Sequence, residues 1–144
     1  MRKTYAAIVL LALGTAALAH SGVEDKHVMA RMDVMKSIGD QMKIVGAMAK
    51  GQAAFDGNTA NAAIGQIAQL SSQVPATFAT PATDPKSEAL PEIWTEWEQF
   101  EKLANDSEIA AASAVGTIAT PEDLDTALRQ IGVTCKACHS KYRD

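Results

Sequence analysis

The 144-residue chain fits a single domain and is long enough to bury a core without disulfide staples. Its 13 basic and 17 acidic residues leave a formal net charge of −4 with no basic block, which argues against nucleic acid or anionic lipid as a partner. Aromatics make up only 5% of it, and apolar residues recur at spacings of three and four rather than two, which favours helix over strand.

The first element is a leader. "MRKTYAAIVLLALGTAALAH" combines a basic start (Arg2, Lys3), an apolar run from Ala6 to Leu18 and the small-residue pattern Ala17-Leu18-Ala19. It predicts a secretory signal peptide over residues 1–19, cleaved after Ala19, because the run is short for a membrane anchor. Residues 20–144 would then be exported. Without Arg2 and Lys3 the 13 basic residues fall to 11 against 17 acidic, a net charge of −6. No later stretch is apolar enough to span a bilayer.

Four helical segments follow. The first is expected from about Val23 to Lys50, with Val28, Met32, Met35, Met42, Val45 and Ala49 on one stripe. The second runs from about Thr59 to Val74 through Ala60, Ile64, Ile67 and Leu70, and Pro75 stops it. The proline-rich connection "PATFATPATDPKSEALPE" is expected to be free of regular helix through most of its length. A third segment begins near Pro91 and carries Ile93, Trp97, Phe100, Ala104, Ser107, Ala111 and Ala114. The last opens on Thr120 as N-cap with Pro121 at its first position, and its stripe is Leu124, Leu128, Ile131, Cys135 and Cys138. Four amphipathic helices without strand-like alternation predict an all-α antiparallel four-helix bundle.

The only two cysteines, Cys135 and Cys138, precede His139 directly in "GVTCKACHSKYRD". A dithiol redox centre would place its thiolate at a helix N-terminus, whereas this pair ends a helix, where the dipole disfavours thiolate. A zinc site needs three or four protein ligands, and the remaining histidines, His20 and His27, lie at the other end of the chain. A disulfide here would close a tiny loop and stabilise little. Covalent haem attachment uses all three residues. The thiols of Cys135 and Cys138 form thioethers with the haem vinyl groups, and His139 is the proximal iron ligand. Export agrees with this, because c-type haem is attached outside the bacterial cytoplasm.

With a signal peptide, four helices and Cys-x-x-Cys-His at the end of the last one, the chain resembles the class II c-type cytochromes, the cytochrome c-prime family. Most c-type cytochromes carry the motif near their N-terminus instead. The likeness spans essentially the whole mature chain and rests also on "RMDVMKSIGDQMKIVGAMAKG" and on "PEIW" at residues 91–94. It implies one covalent haem c near the C-terminal end of helix four. It implies that Arg31 lies near a haem propionate, that Arg143 is the basic residue four after the ligand histidine, and that Glu88 contacts the haem edge. One departure is "VPATF" after the second helix, where family members carry a tryptophan.

The family divides by its sixth ligand: a methionine from the first helix in low-spin members, and no protein ligand in high-spin ones. Met32, Met35 and Met42 share a helix face, while Met29 and Met48 point elsewhere. Met42 stands two turns, about 10 Å, beyond Met35 and is expected in the ordinary core. Met35 is i+4 from Arg31 and matches the family's distal position, so it is the expected distal ligand, as in the low-spin branch. The resemblance thus implies a periplasmic electron carrier rather than an enzyme, exchanging single electrons with redox partner proteins. A gas-binding, nitric-oxide-scavenging protein with an open sixth site is the alternative. A non-haem bundle closed by a Cys135–Cys138 disulfide is the third possibility, and a homodimer through the first two helices is common in the family.

Overall fold

Local capping chemistry decides where the helices begin. The computed structural model describes residues 22–144, so the expected signal peptide lies outside the described residues. Helix α1 spans Lys26–Ala49, and the Asp25 side chain accepts from the backbone N–H groups of His27 and Val28. Gly51, at φ +67°, turns the chain after it, a conformation that glycine adopts without a Cβ clash. Asp56 caps α2 (Gly57–Ser71) in the same way, accepting from the Thr59 N–H. Helix α6 (Pro121–Tyr142) opens with a capping box between Thr120 and Asp123, so the expected N-cap and first-position proline are both in place.

Two expectations fail between α2 and α6. The connection, at whose start Pro75 is expected to stop helix, contains a short helix, α3 (Val74–Phe78), with Pro75 in its first turn. Proline breaks a helix interior but is tolerated where its missing N–H would be unpaired anyway, so Pro75 opens a turn. The third segment is not one helix. It is divided into α4 (Glu92–Thr95) and α5 (Trp97–Ala114) by Glu96, whose φ of −121° and ψ of 39° leave the helical region.

The four long helices pack in a ring, α1 on α2, α2 on α5, α5 on α6 and α6 on α1, as an antiparallel four-helix bundle. Its core has two parts. One is aliphatic, built around Val45, Ile64, Ile67, Leu124 and Ile131. Each is at most 1% exposed, and each such side chain contributes about 1.5–3 kcal/mol through burial. The other is aromatic and joins Phe78, Ile93, Phe100 and Tyr142. In it the ring of Phe100 lies 5.2 Å from Phe78 and 5.5 Å edge-on from Tyr142.

A last feature ties distant segments together. The tail pairs with the end of the α3–α4 connection through a single antiparallel bridge, Ala89 to Arg143. The Leu90 N–H donates to the Tyr142 carbonyl at 3.0 Å, and the Asp144 N–H to the Glu88 carbonyl at 2.9 Å. Helices α1 and α6 approach one another least along the ring, and the space between them forms the site.

Candidate functional site

A cavity of about 610 Å³ opens between α1 and α6, within the ~300–1,000 Å³ typical of cofactor sites. Cys135, Cys138 and His139 from α6 line it together with Met32, Met35 and Met42 from α1. The helical stripe expected for α6 therefore delivers the whole Cys-x-x-Cys-His motif to one wall. Met42 differs from expectation in part. It packs on the aliphatic core as anticipated, but it also lines the cavity, because its stripe continues the Met35 face.

Both cysteines are free thiols and half-buried. Burial raises the pKa of each, and beside Cys135 the Cys138 thiol is pushed up to about 11. A raised thiol pKa is the reverse of the shift that activates a redox pair. His139 is exposed at the edge of the cavity, yet its imidazole pKa is lowered, first by desolvation and then by the Arg143 guanidinium, while Glu88 pulls the other way. The neutral ring, the form that ligates metals, is favoured. Among the described residues no three of His, Cys, Asp and Glu gather into a metal site of their own, as zinc would require.

Arg31 also lines the cavity and is 2% exposed. The segment after α3 holds it: its Nη1 donates to the Ala82 carbonyl at 3.0 Å, and its Nη2 to the Thr80 carbonyl. Its guanidinium carbon sits 4.8 Å from the Trp94 ring centroid and 5.3 Å from that of Phe78. Trp94 is fixed in turn, its indole N–H donating to the Phe78 carbonyl at 2.8 Å. Arg31 Nε remains buried with no hydrogen-bond partner. A buried cation that hydrogen-bonds only carbonyls and keeps one N–H free is suited to an incoming carboxylate, as a haem propionate would supply.

Glu88 and Arg143 meet at the rim. The Arg143 Nε donates to Glu88 Oε2 at 2.6 Å, a pairing across 55 residues that the Ala89–Arg143 bridge sets up. Both line the cavity. The residues expected from sequence are thus gathered around one space: Cys135, Cys138 and His139 on α6, Met35 and Arg31 on α1, and Glu88 and Arg143 at the rim. Sequence reading missed the aromatic lining of Phe78, Phe100 and Tyr142. Their spacing marks them as apolar, but only the α3 turn and the Glu96 break bring them together. The apolar walls, the two thiols beside an imidazole and the orphaned Arg31 Nε all suit a covalent haem.

Comparison with known proteins follows the same line. The family model described as Cytochrome C' matches residues 26–143. The chain is 33% identical over 141 residues to cytochrome c′ of Rhodopseudomonas palustris, covering 97% of this chain and 93% of that protein. It is 34% identical over 117 residues to cytochrome c-556 of Agrobacterium tumefaciens, covering 78% of this chain and 93% of the relative. The solved structure of Rhodopseudomonas palustris cytochrome c′ matches with a TM-score of 0.77 at 31% identity, over 84% of this chain and 98% of that one.

Proposed function

From the premise that the chain belongs to the cytochrome c′ family of haem c electron carriers, we propose that it is a periplasmic single-electron carrier in which His139 and Met35 would ligate the haem iron. Cys135 and Cys138 would hold the haem through thioethers, and Arg31 would meet a propionate. The observation that carries this reading is that one cavity has the Cys-x-x-Cys-His motif on its α6 wall and Met35 on its α1 wall.

Bound haem supplies reversible Fe(III)/Fe(II) exchange, which none of the chain's own side chains offers. The chain's residues do the rest. Cys135 and Cys138, one helical turn apart, would fix the position of a haem along α6. Desolvation keeps the His139 imidazole neutral, with a lone pair free for a metal. The soft thioether of Met35 would favour the ferrous state and raise the potential relative to histidine alone. Arg31 places a buried positive charge where a propionate can replace its missing hydrogen bond. Electron transfer on these terms makes and breaks no substrate bond, so the protein acts as a carrier and not as an enzyme.

Five-coordinate iron open to nitric oxide or carbon monoxide is the second reading. It is supported by Met32 and Met42, which line the same cavity as Met35, since methionine serves as apolar lining as well as ligand. The test is the absorption spectrum of the haem-loaded protein in both oxidation states, with and without carbon monoxide. Low-spin bands with little carbon monoxide binding support the carrier. High-spin bands with ready binding give the lead to the gas-binding reading.

A further inference from the structure

Glu96 stands at the break between α4 and α5, where it is the N-cap residue of α5, yet its side chain makes no capping hydrogen bond there. It reaches α6 instead. Tyr142 Oη donates to Glu96 Oε2 at 3.0 Å, and Lys141 Nζ lies 2.6 Å from the same oxygen. Tyr142 is 2% exposed, packed edge-on against Phe100, and lines the cavity three residues after His139. One carboxylate therefore grips two consecutive residues of the helical turn that carries the histidine.

That turn is where a helix is weakest. The last carbonyls of a helix lack intrahelical partners and its end frays, so a ligand placed there inherits the motion. A metal ligand works within roughly 10–20° of its productive orientation, and outer contacts provide that precision. The bridge to residues 88–90 restrains the backbone beyond Tyr142 on one side. On the other side the restraint is Glu96.

We propose that Glu96 is a positioning residue, which fixes the rotation of the His139 imidazole beneath the iron by clamping Tyr142 and Lys141 to the α4–α5 break. The inference rests on the reading that His139 ligates haem. Because the Glu96–Lys141 pair is 42% and 46% exposed, the ion pair by itself stabilises little, and its loss leaves the bundle folded.

The test uses the haem-loaded protein with Glu96→Ala, Glu96→Gln and Tyr142→Phe, read by the haem-methyl NMR shifts of the ferric form and by the reduction potential. Both report the orientation and strength of the axial imidazole. Glu96→Ala is expected to redistribute the haem-methyl shifts, move the potential and speed amide exchange near residue 143 by about tenfold, as the loss of one charge-assisted hydrogen bond implies. Tyr142→Phe keeps the ring packing and should move the same signals in the same direction. Glu96→Gln still accepts from Tyr142 and should restore the wild-type pattern. Asp106→Ala, which breaks the comparable surface pair with Lys102, should move none of them. A Glu96→Ala protein that melts earlier but keeps its haem-methyl shifts and potential would overturn the proposal. So would a Glu96→Gln protein as perturbed as Glu96→Ala. His139→Ala tests the underlying reading separately: if it leaves the iron spectrum unchanged, His139 is not the ligand, whatever Glu96 does.

Discussion

Met35→Ala separates a ligand from a filler. The substitution removes a thioether from the α1 wall of the cavity, at a side chain that is half-buried and packs against the aromatic cluster. Methionine-to-alanine changes in a full core cost about 2–5 kcal/mol. Met35 is only half-buried, so packing alone puts its cost near the lower end, about 2 kcal/mol. Met42→Ala removes the same atoms from a half-buried position against the aliphatic cluster and should cost about as much. Stability therefore does not tell the two apart, but the iron does. With Met35 bound to it, the wild type is low-spin in both oxidation states and shows a weak sulfur-to-iron charge-transfer band when ferric. Met35→Ala then loses the band, turns high-spin, binds carbon monoxide and falls in potential. Met42→Ala keeps the wild-type spectrum. Absorption spectra taken alongside thermal melts of the three proteins decide the matter. A high-spin wild type, or a ligation change in Met42→Ala but not in Met35→Ala, refutes the assignment.

Serine at both Cys135 and Cys138 should abolish haem that survives denaturation, as measured on the unfolded chain, and should lower the helical circular dichroism; a fully folded, fully active double variant would refute haem attachment here. Arg31→Lys loses the planar fork that serves the Thr80 and Ala82 carbonyls and the stacking on Trp94, and should cost about 1–3 kcal/mol in chemical denaturation. Thr120→Ala removes the α6 N-cap and should cost about 1 kcal/mol in the same assay. Asp25, Asp56 and Asp123 at helix starts have lowered pKa values, and Asp40, between Lys36 and Lys43, is held at about 2. Their folded values lie below the ordinary 3.8, so the unfolded chain binds more protons in acid. The stability they contribute is present above the ordinary value and is lost as pH falls below it, for Asp40 down through about 2. A melting temperature that stays flat from about pH 6 to about pH 2.5 would contradict this.

What could be read from the sequence was what is local. Thr120, Pro121 and Asp123 lie within one turn, and a cap needs nothing further away. The Cys-x-x-Cys-His spacing and the α1 methionine face are likewise set by helical periodicity. What escaped depends on distant partners. Arg31 reads as a charge on an amphipathic helix, and its burial comes from carbonyls 49 and 51 residues away. Nothing near Glu88 announces Arg143, because their pairing follows from a backbone bridge across 54 residues. Proline ordinarily ends a helix, and that Pro75 opens α3 instead depends on Val74 and Phe78 finding the aromatic core. Glu96 looked like the interior of one helix, and the break there accompanies its contacts with α6.

The division of the core into two clusters makes the molecule asymmetric along its length. At the aliphatic end, Asn61 clips α2 to the α5–α6 loop by donating to the Ile118 carbonyl at 2.8 Å and accepting from the Ile118 N–H at 3.2 Å. That end is closed by the chain's own side chains, and it meets the cavity only through Ile38, Met42 and Cys135. The aromatic end instead lines the cavity through Phe78, Ile93, Phe100 and Tyr142. Evolution and engineering therefore meet two different materials in one bundle. The turns at the aliphatic end are held by local groups, Gly51, Asp56, Ile118 and Thr120, and none of these lines the cavity. A substitution near Phe100 or Tyr142, in contrast, alters fold and colour together.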